Sequence, residues 1–328
     1  MYLRLIAPLI AGAALLLAPF AAGAAEVPAQ WKRAWPQTDF SRIEVDPAEI
    51  FSGGPGKDGI PAITGPEMIA AGAEDGLDPR EPVMVLELEG QPARAYPVRY
   101  LMWHEIVNDV AGDVPIAVTF CPLCNSGLIF DRRLDGRVLE FGVSGMLRFS
   151  DMVMFDRQTE SWWQQFNGRA IVGELQGSDL TPLPAWLESW QGYLGRNPDG
   201  LVMAQPEGYR RNYGANPYAG YDSGAPFLYR GEMPPHGIDP VARVVRVGNR
   251  AWPLTRLAEA GEITEAGYRL SWAEGQASAL DTRAIGAGRE VGDVRVHDAA
   301  TGAGVIHEVV FAFAFHAFEP DGIWMMGE

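Results

Sequence analysis

Two cysteines occur in 328 residues, and they stand three apart as Cys121-Pro122-Leu123-Cys124. A bridge across two intervening residues closes almost no loop, so the pair would do little as a structural staple. The residues therefore read as chemistry: metal ligation, thiol–disulfide exchange or a labile regulatory disulfide. Covalent c-type haem needs His directly after the second cysteine, and Asn125 stands there, so haem c is not expected. A thioredoxin-like redox site needs a helix N-terminus to lower the thiol pKa. The apolar residues 117–120 suit the strand that would precede it. Asn125-Ser126-Gly127 and the strand-like Leu128-Ile129-Phe130 do not suit the helix. A metal knuckle fits better: Pro122 fixes the turn, Asn125 tolerates a left-handed backbone, and both sulfurs converge on one ion.

Two thiolates rarely complete a metal site, so further donors are sought among five histidines. His104 is the strongest, because it lies on a short helical pattern just before the strand leading to Cys121. The competing reading is a half-buried histidine bonded to backbone. His236 lies in a Pro-Pro-His loop, and His316 is the polar residue of an aromatic run at 311–318. Met146, Met152 and Met154 offer thioethers, although Met at alternate strand positions usually packs a core. The expected metal site is thus Cys121, Cys124 and His104. Sulfur-rich ligands favour copper as Cu(I), while added His or carboxylate suits zinc or iron. Asp151, Asp156 and Glu160 with Arg148 and Arg157 read as solvated turns rather than a polar cleft. Trp162-Trp163 and the Tyr-rich stretch 209–229 could stack on a ligand, or pack loops onto a core.

The elements that must position these residues are read from local pattern. Residues 66–71 read as a short capped helix before Gly72. Residues 83–89 and 93–96 read as strands around a Gly90 turn. Trp103, Ile106, Val107 and Val110 recur at helical spacing, which predicts a helix over 98–110. Residues 116–120 form a strand entering Cys121. Residues 128–131 and 137–143 form a hairpin around Asp135-Gly136. Residues 152–155 and 161–165 flank another turn, and a helix is expected over 185–194. A weak repeat relates Pro82-Val83…Ala95-Tyr96-Pro97-Val98 to Pro240-Val241…Ala251-Trp252-Pro253-Leu254. The alternative is two similar hairpins without common origin. The fold class is α+β and β-rich, with two pseudo-repeated halves built on hairpins and short helices. The expected parts are a signal peptide over 1–24, an extension over 25–75, a cysteine-bearing half over 76–235 and a second half over 236–328.

Composition narrows the partners. Apolar residues make 47% of the chain, enough to oppose chain entropy and exclude general disorder. Acids outnumber bases by 42 to 26, a net charge of −16 that argues against nucleic acid. Arg4, an apolar run over 5–20 and Ala22-Gly23-Ala24 read as a cleaved export signal, with an uncleaved anchor as the rival. No cysteine stands near the cleavage site for lipid attachment. The mature chain is expected in the periplasm or outside the cell, with no stable membrane span. Its expected partner is a periplasmic metal or redox protein.

Several motifs in order resemble a known family. They are Trp103-His104-Glu105-Ile106-Val107-Asn108-Asp109, Val118-Thr119-Phe120-Cys121-Pro122-Leu123-Cys124-Asn125-Ser126-Gly127, Phe141-Gly142-Val143-Ser144-Gly145, Asp156-Arg157-Gln158-Thr159-Glu160-Ser161, and Tyr209-Arg210-Arg211 through Pro217-Tyr218. Over roughly residues 75–325 the chain resembles the exported prokaryotic family DUF3179, a domain of unknown function. The resemblance implies no established activity. It implies that His104, Cys121 and Cys124 belong to recurring motifs. The family's aromatic run ends in His-Pro, whereas Phe318 here is followed by Glu319-Pro320. Three functions stay open: soft-metal binding, a thiol–disulfide oxidoreductase, and a ligand-binding module using the Trp and Tyr loops.

Overall fold

A computed structural model describes residues 27–327, so the expected signal segment lies outside the described residues. Strand outweighs helix more than twofold, and five sheets of three to five strands form a propeller-like ring. The β-rich reading holds. Two of these sheets carry the chemistry. The first orders Thr181–Pro182, Ser126–Asp131, Val114–Cys121, Ile106–Ala111 and Ile63–Thr64. The second orders Ile50–Ser52, Phe141–Arg148, Asp151–Asp156, Trp162–Gln164 and Arg169–Val172.

The strand Val114–Cys121 is buried along almost its whole length. Both faces are covered, which is why residues 116–120 read as a continuous apolar run instead of alternating. Val118, Phe120, Ile129 and Phe130 join Phe141, Trp163, Phe311 and Phe313 in one core. That core joins the two chemistry-bearing sheets to the C-terminal part of the chain. None of the described helices is long and apolar enough to cross a membrane.

Three expected helices are corrected. The pattern over 98–110 gives a helix only at Val98–His104, followed by the strand Ile106–Ala111. Glu105 breaks it with a left-handed φ of 59°. The β-branched Ile106 and Val107 then pair with Thr119 and Val118. The helical spacing was a coincidence of two short elements, and pairing across the sheet outweighed it. The run expected as helix over 66–71 is instead the strand Met68–Ala70, which pairs with Leu201–Met203. Six residues make fewer than two helical turns, too few to offset nucleation when a strand partner is at hand. Residues 185–194 divide at Ser189 into the strand Ala185–Ser189 and the helix Trp190–Arg196. Ser189 caps that helix, its hydroxyl accepting from the Gly192 N–H at 3.2 Å.

Candidate functional site

The paired cysteines sit at the tip of the hairpin made by Val114–Cys121 and Ser126–Asp131, with Cys121 opposite Ser126. Asn125 takes the left-handed backbone that its type suggested, at φ 51°. The Cys124 N–H donates to the Cys121 carbonyl at 3.3 Å, tightening the turn. Gly127 lets the hairpin lie close to its neighbour, since a Cβ there would meet the Met84 sulfur at 2.5 Å. A distant strand, Glu308–Phe311, clasps the turn. Asn125 Nδ2 donates to the Val309 carbonyl at 2.7 Å, and the Phe311 N–H donates to the Cys124 carbonyl at 2.9 Å.

Both thiols are buried and neither is in a disulfide. Cys121 Sγ donates a long hydrogen bond to the Ser150 carbonyl, at 3.8 Å. Burial pushes both thiol pKa values up, Cys124 well above its ordinary value; the Asp151 charge adds to both rises, and the neighbouring thiol adds to that of Cys124. A low-pKa nucleophile needs a helix dipole or a nearby cation. The surroundings of this pair supply buried acids instead.

Asp151 is the third member. One donor atom from each of Cys121, Cys124 and Asp151 falls within 4.8 Å of the other two, and all three residues are buried. The tight turn at Phe149-Ser150, both left-handed at φ 52° and 64°, delivers Asp151 and the Ser150 carbonyl together. Asp151 Oδ2 accepts from Gln164 Nε2 at 2.6 Å and from the Phe166 N–H at 3.0 Å. Its Oδ1 is buried and has no hydrogen-bond partner. Burial raises the Asp151 pKa to about 7. The expectation that Asp151, Asp156 and Glu160 lie on solvated turns is overturned, because all three are buried. Asp156 accepts from Thr159 and Trp163 Nε1, and Glu160 pairs with Lys57.

His104 is not brought to this cluster. Its Nδ1 lies 2.7 Å from the Pro61 carbonyl and its Nε2 lies 2.7 Å from the Tyr213 hydroxyl. A carbonyl only accepts, so Nδ1 carries the proton and the Nε2 lone pair accepts from Tyr213. Tyr209 packs edge-on against the ring at 4.6 Å. Burial lowers the His104 pKa, in keeping with a neutral imidazole. With both nitrogens engaged, His104 holds the Tyr-rich loop to the segment before Ile63. His236 is exposed, and His307 is bonded to the Val305 and Val294 carbonyls. Met154 packs in the core, while Met146 and Met152 line a cavity of about 480 Å³ beside the cysteine turn. Trp162 and Trp163 are fully buried core residues.

The next residue after His104 faces that cavity. Glu105 is 9% exposed and lines it together with Leu123, Tyr218 and Tyr221. Burial, then the nearby Asp151 charge, pushes the Glu105 pKa up to about 8. The sequence patterns put Asp151 on a solvated turn and gave Glu105 no role. A buried acid looks like a surface acid until the fold is known.

A β-rich ring with a cysteine hairpin facing a buried carboxylate defines the class of site. The family described as Protein of unknown function (DUF3179) matches residues 57–322, and the chain belongs to it. No curated protein and no solved structure matches the chain.

Proposed function

We propose that this is an exported protein that holds one thiophilic transition-metal ion between Cys121, Cys124 and Asp151. The observation that carries the reading is Asp151 Oδ1, a buried carboxylate oxygen without a hydrogen-bond partner beside two thiols. Leaving such an acceptor unpaired costs about 1–3 kcal/mol, which an ion would recover. Binding would replace the thiol protons, as it does wherever cysteines ligate metal. Two thiolates alone suit Cu(I), the ion favoured by the sequence. The carboxylate oxygen is a harder donor and moves the preference toward zinc or iron. The partner in this reading is a periplasmic protein that delivers or receives the ion. The strand–strand–helix units at 82–104 and 243–260 are taken as the cores of two duplicated halves, only the first carrying a site.

Metal analysis of the chain purified from the periplasm should find about one ion per molecule. The double variant Cys121→Ser/Cys124→Ser should hold none while its circular dichroism stays native. Stoichiometric metal in the double variant, or none in the wild type after anaerobic loading with Zn²⁺, Fe²⁺ and Cu(I), would overturn the reading. The rival is a thiol–disulfide oxidoreductase, favoured by two free thiols with a buried acid beside them to take a proton. It requires rapid exchange with a small disulfide by a metal-free sample.

A further inference from the structure

We propose that the cavity beside the cysteine turn binds an organic amine with a compact aromatic body, its ammonium group meeting the Glu105 carboxyl. Most other buried acids of this chain meet an arginine. Glu81 pairs with Arg99, Asp109 with Arg94, Glu188 with Arg196, Asp222 with Arg243 and Glu308 with Arg246. Asp151 and Asp156 lack a cation but accept hydrogen bonds, and Glu160 meets Lys57. Among the described residues, Glu105 is the buried acid whose carboxyl has neither an ion pair nor a hydrogen bond. An apolar wall around an unpaired carboxyl is costly. A chain with 24 arginines had the means to supply a partner from within.

The lining of the cavity defines what partner would fit. Its volume of about 480 Å³ lies within the range of small-molecule sites. No Lys, Arg or His lines it, so an anion would find no cation there and would face the Glu105 carboxyl with Asp151 close behind. The rest of the wall is apolar and aromatic. Tyr218 and Tyr221 bring aromatic rings to the wall, the groups that attract a cation, and Met146 and Met152 bring polarizable sulfur suited to an aromatic ring. Tyr221 is fixed in place, its hydroxyl donating to the Leu123 carbonyl at 3.0 Å and accepting from the Phe227 N–H at 3.1 Å. One carboxyl on an aromatic and thioether wall selects a positive or donor head on an apolar body.

The test is calorimetric titration of the purified chain with phenethylamine, 2-phenylethanol and phenylacetate, three probes of similar shape and different charge. Phenethylamine should bind at least about tenfold more tightly than either of the others, the discrimination expected of a charge-assisted hydrogen bond. Glu105→Gln should remove that preference and leave 2-phenylethanol unchanged. Glu105→Gly, which relieves the left-handed backbone and so should fold at least as well, should do the same. Ala219→Trp, at the exposed rim, should block all three. Equal affinity for amine and alcohol, amine affinity kept by both Glu105 variants, or no phenethylamine binding at millimolar concentration would each overturn the proposal. The ion reading stands or falls separately: metal content should survive Glu105→Gln, and amine binding should survive Cys121→Ser/Cys124→Ser.

Discussion

Two strand–strand–helix units sit in different sheets of this molecule, and only one leads to the cysteine turn. In the first, Pro82–Leu86 and Arg94–Pro97 pair and open the helix Val98–His104. In the second, Arg243–Val247 and Arg250–Pro253 pair and open the helix Leu254–Ala260. Both helices come directly after a proline and end on a left-handed residue whose N–H reaches four residues back. Glu105 donates to the Leu101 carbonyl at 2.6 Å, and Gly261 donates to the Leu257 carbonyl at 2.8 Å. At Gly261 the backbone, with φ 71°, has the residue it favours, and no atom lies where a Cβ would go. At Glu105 the same backbone carries a long acidic side chain to the wall of a cavity. A left-handed non-glycine residue costs roughly 1–2 kcal/mol, and the unpaired carboxyl adds to that. Of two equivalent helix ends, the one that breaks the local rule lies beside the cysteines. Stability alone would have chosen glycine at both.

The strands downstream of the two helices differ as well. Ile106–Ala111, after Glu105, is buried at five of six positions and pairs with the cysteine strand. Glu262–Glu265, after Gly261, alternates between exposed and half-buried residues.

The two units should diverge most when the acid facing the thiols is changed. Asp151→Asn should weaken ion binding by about 100-fold or more, since loss of a direct ligand is at least as severe as loss of its support. Changes to Glu265 in the second unit should leave it untouched. Competition with a chromogenic chelator measures both.

The next effect is on stability. Asp151 and Glu105 have folded pKa values of about 7 and about 8, above the usual carboxylate range, so the folded state holds their protons where the unfolded chain has released them. Stability therefore falls as pH rises toward those values. Buried His104 and His307 have lowered pKa values and act in the opposite sense only below their unfolded value near 6.5. Between pH 6.5 and 8.5 the metal-free chain should lose about 3 kcal/mol, at about 1.4 kcal/mol per proton and pH unit. Urea unfolding at the two pH values checks this, and Asp151→Asn/Glu105→Gln should flatten the difference.

Smaller and opposite in sign are the two helix-end exchanges. Glu105→Gly should stabilise the metal-free fold by about 1 kcal/mol, and Gly261→Ala should destabilise it by about 1 kcal/mol. Thermal midpoints that move in the same direction would erase the contrast between the two helix ends. The smallest effect belongs to His104→Ala, which should change ion affinity less than about tenfold, the lower end expected when a residue outside the ligand set is lost. Its main consequence should be a looser Tyr-rich loop, read as faster proteolysis near Tyr209 and Tyr213.

Sequence reasoning reached the cysteine turn because that geometry is local: Pro122, Asn125 and the flanking apolar runs specify a hairpin tip among themselves. It misread Asp151 because the Phe149-Ser150 turn lacks the Asn-Gly signal of a tight hairpin, and nothing local reports that a carboxylate is buried. His104 was drawn toward the cysteines by its place in the chain. The helix end at Glu105 turns the backbone before the cysteine sheet begins, and the ring is left bonded to Pro61 and Tyr213. The signal for Glu105 was present in the repeat, where an acid stands at the offset occupied by Gly261 in the other copy. Reading it required knowing that this position is a left-handed helix end.

The clasp on the cysteine turn reaches across 184 residues, from Asn125 to Val309. Synthesis must therefore pass residue 311 before the two sulfurs acquire their final surroundings. A chain interrupted before residue 308 would keep the hairpin but leave the Cys124 carbonyl and the Asn125 amide without their partners. Site assembly then waits on the strand Glu308–Phe311, and a bound ion would certify that synthesis had passed it.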